Sequence, residues 1–229
     1  MPPAFLQKIS LAPGDKIPAT GFLIGRIPGL AFTTDRKASL LLQRPLHRKI
    51  VEEIFSSSTP QETIPLVTAD QVHGSDIALV APPFLETLQI DRVDGLITTH
   101  AGVILGITVA DCAPVWIVEK KGKAGALIHA GKRGAEAEIV PKAIARLEQE
   151  FQIAPSDLIM TIGPCIRPPC YELDFAQTIR EQATASGVPL IQDEKICTSC
   201  NLDRYYSYRC EEGATGHMLA VLVLSYRYD

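Results

Sequence analysis

The chain has 229 residues, 46% of them hydrophobic and 21% charged, and a formal net charge of −4. That length suits one large domain able to bury a core without staples. The small negative charge excludes nothing chemical but gives no reason to expect a nucleic-acid partner, and no apolar run reaches the roughly 20 residues that cross a bilayer.

No internal repeat or low-complexity tract is visible, and the elements are read in chain order. Residues 13–28 mix prolines and glycines with apolar residues and read as turns. Residues 45–55 read as a helix and 56–62 as a polar loop. Residues 64–69 read as a strand that delivers Gln71 and His73, with Pro65 suited to an edge. A short strand follows at 77–80, ended by Ala81-Pro82-Pro83.

Val103, Leu105, Ile107 and Val109 recur with period two, as in a strand. Asp111-Cys112-Ala113-Pro114 breaks it, residues 115–119 form a second strand, Lys121-Gly122 turns, and residues 124–129 form a third. Hairpin register then sets 115 opposite 128 and 114 opposite 129, which brings His129 beside the turn carrying Cys112. A helix is expected over 135–150, a strand over 158–162, a helix over 174–186 and a closing strand over 218–224. Strands outnumber helices and alternate irregularly with them, which predicts an α+β domain with mixed sheets.

Three donors sit on short turns flanked by glycine or proline: His73 in Gln71-Val72-His73-Gly74, Cys112 in Ala110-Asp111-Cys112-Ala113-Pro114, and His129 in His129-Ala130-Gly131-Lys132-Arg133-Gly134. Two imidazoles and a thiolate are a donor set for zinc with a fourth position left open. Each residue also has a plainer reading, His73 as a turn residue and Cys112 as a small buried hydrophobe. Cys112 and His129 alone would equally suit a nucleophile and its base, a chemistry that has no need of His73. Asp111 is either an orienting carboxylate or a turn residue. The glycines at 131 and 134 and the fork of Arg133 suit an anion.

Residues 1–10 show no signal-peptide pattern, so a cytoplasmic protein with mostly reduced cysteines is expected. Cys197-Thr198-Ser199-Cys200 lacks a second pair at zinc-ribbon spacing and a following helix, and it is read as structural. Cys165, Cys170 and Cys210 read as packing residues, His47 as an exposed helix residue, and His100 and His217 as structural.

Taken together, the motifs resemble the laccase-domain family, the multicopper polyphenol oxidoreductase-like proteins also described as purine nucleoside phosphorylases. The resemblance is carried by the three donor motifs, by Val93-Asp94-Gly95-Leu96-Ile97-Thr98, by Gly163-Pro164-Cys165-Ile166 with Cys170-Tyr171-Glu172, and by Cys197-Thr198 with Tyr206-Ser207-Tyr208-Arg209. These run in the family's order from about residue 65 onward. The resemblance implies one domain over residues 1–229, with mixed sheets packed together and helices outside, similar to the catalytic domain of cytotoxic necrotizing factor. It implies zinc, or copper, bound by His73, Cys112 and His129.

The activity so implied is phosphorolysis of purine nucleosides together with adenosine deamination. The catalytic residues would be Cys112, His129, Arg133 and Asp111. Substrate would be held by Gln71, Gly131 and Arg133. The partners would be a small nucleoside and phosphate, with no nucleic acid and no membrane, and the chain would act as a monomer. Other activities attributed to the family are phenol oxidation with copper and, in some bacterial members, peptidoglycan precursor editing, which would suit a cysteine amidase. Three positions depart from the pattern: Lys132 stands where the family usually has tryptophan, and Cys210 and His217 where it usually has arginine. Glu172-Leu173 also runs almost directly into Asp174-Phe175, where the family carries an extra helical segment. A relative without enzymatic activity is the remaining alternative.

Overall fold

The computed structural model describes residues 6–11, 19–27, 29–30, 32–55, 64–83 and 88–225. Its strands in chain order are β1 (Leu6–Ile9), β2 (Ala19–Ile24), β3 (Leu66–Asp70), β4 (Ile77–Leu79), β5 (Leu88–Asp91) and β6 (Gly95–Thr98). Then come β7 (Ile104–Val109), β8 (Ala113–Glu119), β9 (Gly125–Ala130), β10 (Leu158–Ile162), β11 (Leu190–Asp193) and β12 (Met218–Leu224). The helices are α1 (Arg36–Phe55), α2 (Lys132–Glu136), α3 (Ile139–Phe151) and α4 (Phe175–Ala185).

Two mixed six-stranded sheets result, one in the order β1-β2-β12-β7-β3-β5 and the other β11-β10-β8-β9-β6-β4. The expected α+β architecture of mixed sheets with helices outside is what forms. Leu105, Ile107 and Val109 of β7 and Leu222 of β12 meet Trp116, Val118 and Leu127 of the other sheet in one buried cluster between the sheets. Alternation then sends the neighbouring side chains outward. Val115, Ile117, Ile128 and Met160 pack under Ile139, Ala143 and Leu147 of α3 and Ile179 of α4. Ile104, Leu219 and Val221 pack under Val51 of α1. Every residue of β8 is therefore buried, because the strand has core on both faces. The single tryptophan, Trp116, donates its indole N–H across the sheets to the Val221 carbonyl at 2.9 Å. Gly21 leaves room for it, since a Cβ there would lie 3.1 Å from the indole nitrogen.

The β8–β9 hairpin has the expected register, with Val115 opposite Ile128 and Pro114 opposite His129. Other boundaries moved for identifiable reasons. The first helix begins at Arg36, ahead of Pro45, because the Asp35 carboxylate caps it by accepting from the Lys37 and Ala38 N–H groups. The helix expected over 135–150 is two helices, with Glu138 between them at φ 57°. Pro141 explains the break, since its ring would clash with the Ala137 carbonyl in a continuous helix, whereas the first turn of α3 tolerates it. Strand β2 occupies part of the segment read as turns. The loop read over 56–62 lies outside the described residues. His47 is buried in α1 rather than exposed, and its ring shares a backbone hydrogen bond with His217.

Candidate metal centre

The three sequence-predicted donors converge. The ligand atoms of His73, Cys112 and His129 all lie within 4.8 Å of one another. The two imidazole rings meet edge to face, with centroids 4.9 Å apart. Each donor arrives from a different strand end. His73 follows β3 and takes a left-handed backbone at φ 61°. Asp111, at φ 82°, reverses the chain after β7 and presents Cys112. His129 is the penultimate residue of β9, 3% exposed.

Asp94, fully buried in the turn before β6, organises this set. Its carboxylate accepts from the backbone N–H groups of Val72 (3.2 Å), His73 (2.9 Å) and Gly74 (2.7 Å). The same carboxylate lies 2.7 Å from His129 Nδ1. One side chain thus fixes the loop carrying His73 and the ring of His129. With Nδ1 bonded to the carboxylate, His129 turns Nε2 toward its fellow donors, the arrangement in which a carboxylate orients a metal-binding histidine. Burial alone would raise the Asp94 carboxyl, but His129 and the Gly74 and Val72 amides outweigh it and hold it below the usual carboxylate range.

Cys112 and His129 perturb each other. Burial would raise the Cys112 thiol, but the neighbouring His129 and His73 bring it down to about 6. Burial would lower the His129 imidazole, but Cys112 and Asp94 push it up to about 9. The site therefore favours a thiolate, the form that ligates a metal or attacks an electrophile. Gly131 lets the sulfur sit where it does. A Cβ at that position would come within 2.4 Å of Cys112 Sγ, so no larger residue fits behind the thiolate. Two nitrogens and one sulfur, oriented by a buried carboxylate and backed by a glycine, fit zinc.

The donors open onto a cleft of about 960 Å³. Its walls carry Arg36, Lys132, Arg133 and Arg209 as cations and Tyr171, Phe175 and Tyr208 as aromatic surfaces. Arg133 and Asp111 both line it. The Asp111 carboxylate is taken up by neighbours, accepting from Thr198 Oγ1 at 2.6 Å and from the Arg209 N–H at 2.7 Å. Gln71 and Gly131 stand outside the lining. The Gln71 side chain is buried and bonded to Thr108, donating to its carbonyl at 2.6 Å and accepting from its N–H at 2.9 Å, which ties the turn after β3 to β7.

Sequence reasoning missed several participants. Asp94 is visible in the sequence only as part of a motif; an aspartate opening a short buried strand is its sole local signal. His217, read as structural, lines the cleft, and its Nδ1 is buried without a hydrogen-bond partner among the described residues. Burial, together with the nearby Arg36, drives its imidazole down to about 3, so it stays neutral. Cys165 is buried as expected, and Cys170, partly buried, packs against the same core cluster while its sulfur lies 3.3 Å from that of Cys200; Cys210 is exposed instead.

Known proteins carry similar sequences and folds. The purine nucleoside phosphorylase YlmD of Geobacillus stearothermophilus is 33% identical over 196 residues, covering 68% of this chain and 71% of that protein. The purine nucleoside phosphorylase SCO2081 of Streptomyces coelicolor is 32% identical over 192 residues, covering 72% and 78%. The crystal structure of YlmD superposes with a TM-score of 0.78 at 27% identity over 98% of this chain and all of that one. A hypothetical protein YfiH from Bacillus licheniformis has the same fold, with a TM-score of 0.78 at 21% identity over 90% and 93%. With residues 47–176 and 172–225 also matching its signature, the chain belongs to the multi-copper polyphenol oxidoreductase laccase family.

Proposed function

We propose that this protein is a zinc-dependent purine nucleoside phosphorylase that also deaminates adenosine. The observation that carries this reading is the convergence of His73, Cys112 and His129 at a cleft lined with both cations and aromatic rings. A cleft of about 960 Å³ is at the upper end of the range for small-molecule sites and accommodates a nucleoside with phosphate. Zinc, when held by His73, Cys112 and His129, supplies Lewis acidity and an open coordination position.

The chain's own residues divide the remaining work. Tyr171, Phe175 and Tyr208 offer faces on which a purine stacks. Arg133, with Lys132 and Arg209 on the same walls, attracts phosphate and holds it for attack on the ribose carbon bearing the base. In that step a phosphate oxygen forms the new bond to carbon, and the bond to the purine nitrogen breaks. The neutral His217, whose Nδ1 has no partner among the described residues, supplies a hydrogen bond to substrate from the cleft wall. Asp111 contributes by holding Thr198 and the Arg209 backbone, which sets the turn from which Cys112 projects. Asp94 acts through His129 and is a positioning residue. Incubation of zinc-loaded protein with adenosine or inosine, with and without phosphate, tests the reading. Phosphate-dependent release of adenine or hypoxanthine, and phosphate-independent inosine from adenosine, are expected; unchanged nucleosides in both arms would refute it.

One observation favours a second reading. Asp94, His129 and Cys112 stand in the order of an orienting carboxylate, a base and a nucleophile, with the thiol brought down to about 6. A cysteine hydrolase or amidase would use that row. His73 weighs toward the metal reading, because a third donor within 4.8 Å of the other two completes a coordination set and is not required by a cysteine–histidine mechanism.

A further inference from the structure

A second group of sulfurs lies outside the centre described above. Cys197 and Cys200 bracket the turn that follows β11, and Cys170 lies some thirty positions earlier in the loop after β10. Their sulfurs all fall within 4.8 Å of one another. Cys170 Sγ and Cys200 Sγ are 3.3 Å apart, well beyond the roughly 2.05 Å of a disulfide. Two thiolates on one tetrahedral zinc, each bonded at about 2.3 Å, stand slightly under 4 Å apart, a spacing of the same order as this group's. A disulfide also needs only two sulfurs, whereas three converge here from two segments.

Both segments are held by backbone contacts that do not involve the three sulfurs. The Cys165 N–H donates to the Ile196 carbonyl at 3.1 Å and the Thr198 N–H to the Cys165 carbonyl at 3.2 Å, a short parallel bridge between the loops. Asn201 donates its side-chain amide to the Cys197 carbonyl at 2.8 Å, closing the turn. The sulfurs are thus brought together by a backbone that is already fixed, the preorganisation a metal site requires.

We propose that Cys170, Cys197 and Cys200 form a second zinc site, a three-thiolate site that pins the loop carrying Tyr171 to the turn carrying Thr198. Both loops serve the first centre. Tyr171, next to Cys170, lines the cleft, and Thr198, between Cys197 and Cys200, donates to Asp111 beside Cys112. Three thiolates on zinc leave one position for water or an external ligand, and Cys200 is exposed to solvent. The ion is therefore exchangeable and binds less tightly than in a closed four-cysteine site.

The test counts metal in reduced protein stripped by chelator, reloaded with zinc alone and desalted. Wild type should hold two equivalents. A His73→Ala/Cys112→Ala variant isolates the second site and should hold one; adding Cys200→Ser should reduce that to none, with the circular dichroism spectrum unchanged. Cys170→Ser in place of Cys200→Ser repeats the loss should the first substitution disturb folding. A His73→Ala/Cys112→Ala protein that binds no zinc, or whose zinc survives both serine substitutions, would overturn the proposal. So would an intact mass two hydrogens short under reducing conditions, the mark of a Cys170–Cys200 disulfide in place of a metal. Because this site is read in a background without the first one, its failure is distinct from failure of the nucleoside chemistry.

Discussion

Asp94 Oδ1 lies 2.7 Å from His129 Nδ1 in a fully buried contact, while the same carboxylate receives three consecutive backbone amides from the loop that carries His73. One buried side chain thereby sets the direction of two donors. Asp94→Asn can turn an N–H toward Nδ1 and favours the wrong tautomer of His129. Zinc affinity should fall about 10–100-fold, as is typical when a carboxylate behind a ligating histidine is removed. Competition against a chromophoric chelator measures it; unaltered affinity would mean that Asp94 serves the fold alone.

Gly131→Ala should act on the sulfur. The added methyl would stand 2.4 Å from Cys112 Sγ, closer than real contacts allow, so the thiolate must move. Metal content and turnover should drop together while the melting temperature changes little, because the crowded atom belongs to the site and not to the core. Gly134→Ala is a milder control, with its nearest contact at 3.4 Å.

His47 should make stability fall on the acid side. Burial lowers its folded-state pKa from 6.5 to about 4. Between those values the unfolded chain binds more protons, so the contribution is complete above pH 6.5 and lost as pH falls toward 4. Wild type should lose about 2 kcal/mol relative to His47→Leu between pH 7 and pH 5. Urea midpoints of both proteins at the two pH values read this directly, and parallel shifts would show that His47 titrates normally.

Protein purified without added copper should oxidise phenols slowly or not at all. Blue-copper chemistry takes two histidines, a cysteine and a weak axial ligand, and a laccase needs further copper ligands besides. The chain has five histidines, and His47 is committed to the core beneath α1. Oxygen uptake with a phenolic substrate is the measurement; rapid uptake in metal-analysed, copper-free protein would contradict the expectation.

The central strands and the donor set were legible because each has a short-range signature. Val103 to Val109 alternates, Lys121-Gly122 turns the hairpin, and pairing register then fixes His129 against the Cys112 turn. What escaped depends on partners far along the chain. Asp94 matters because loop 72–74 folds onto it, 20 to 22 residues away. Cys170 meets Cys200 across 30 residues through a single backbone bridge. His47 is buried because α1 starts earlier than Pro45, at a cap formed by Asp35. Edge strands such as β5 and β11 are four residues long, too short for periodicity to register.

The most direct measurement is zinc stoichiometry and turnover of Cys112→Ala beside wild type, both with Cys200→Ser to leave one site. The expected result is loss of zinc and of nucleoside cleavage together, since the thiolate is a ligand and the metal centre is where the chemistry happens. Full zinc retained by an inactive Cys112→Ala protein would contradict the account and identify Cys112 as the nucleophile of a cysteine–histidine enzyme.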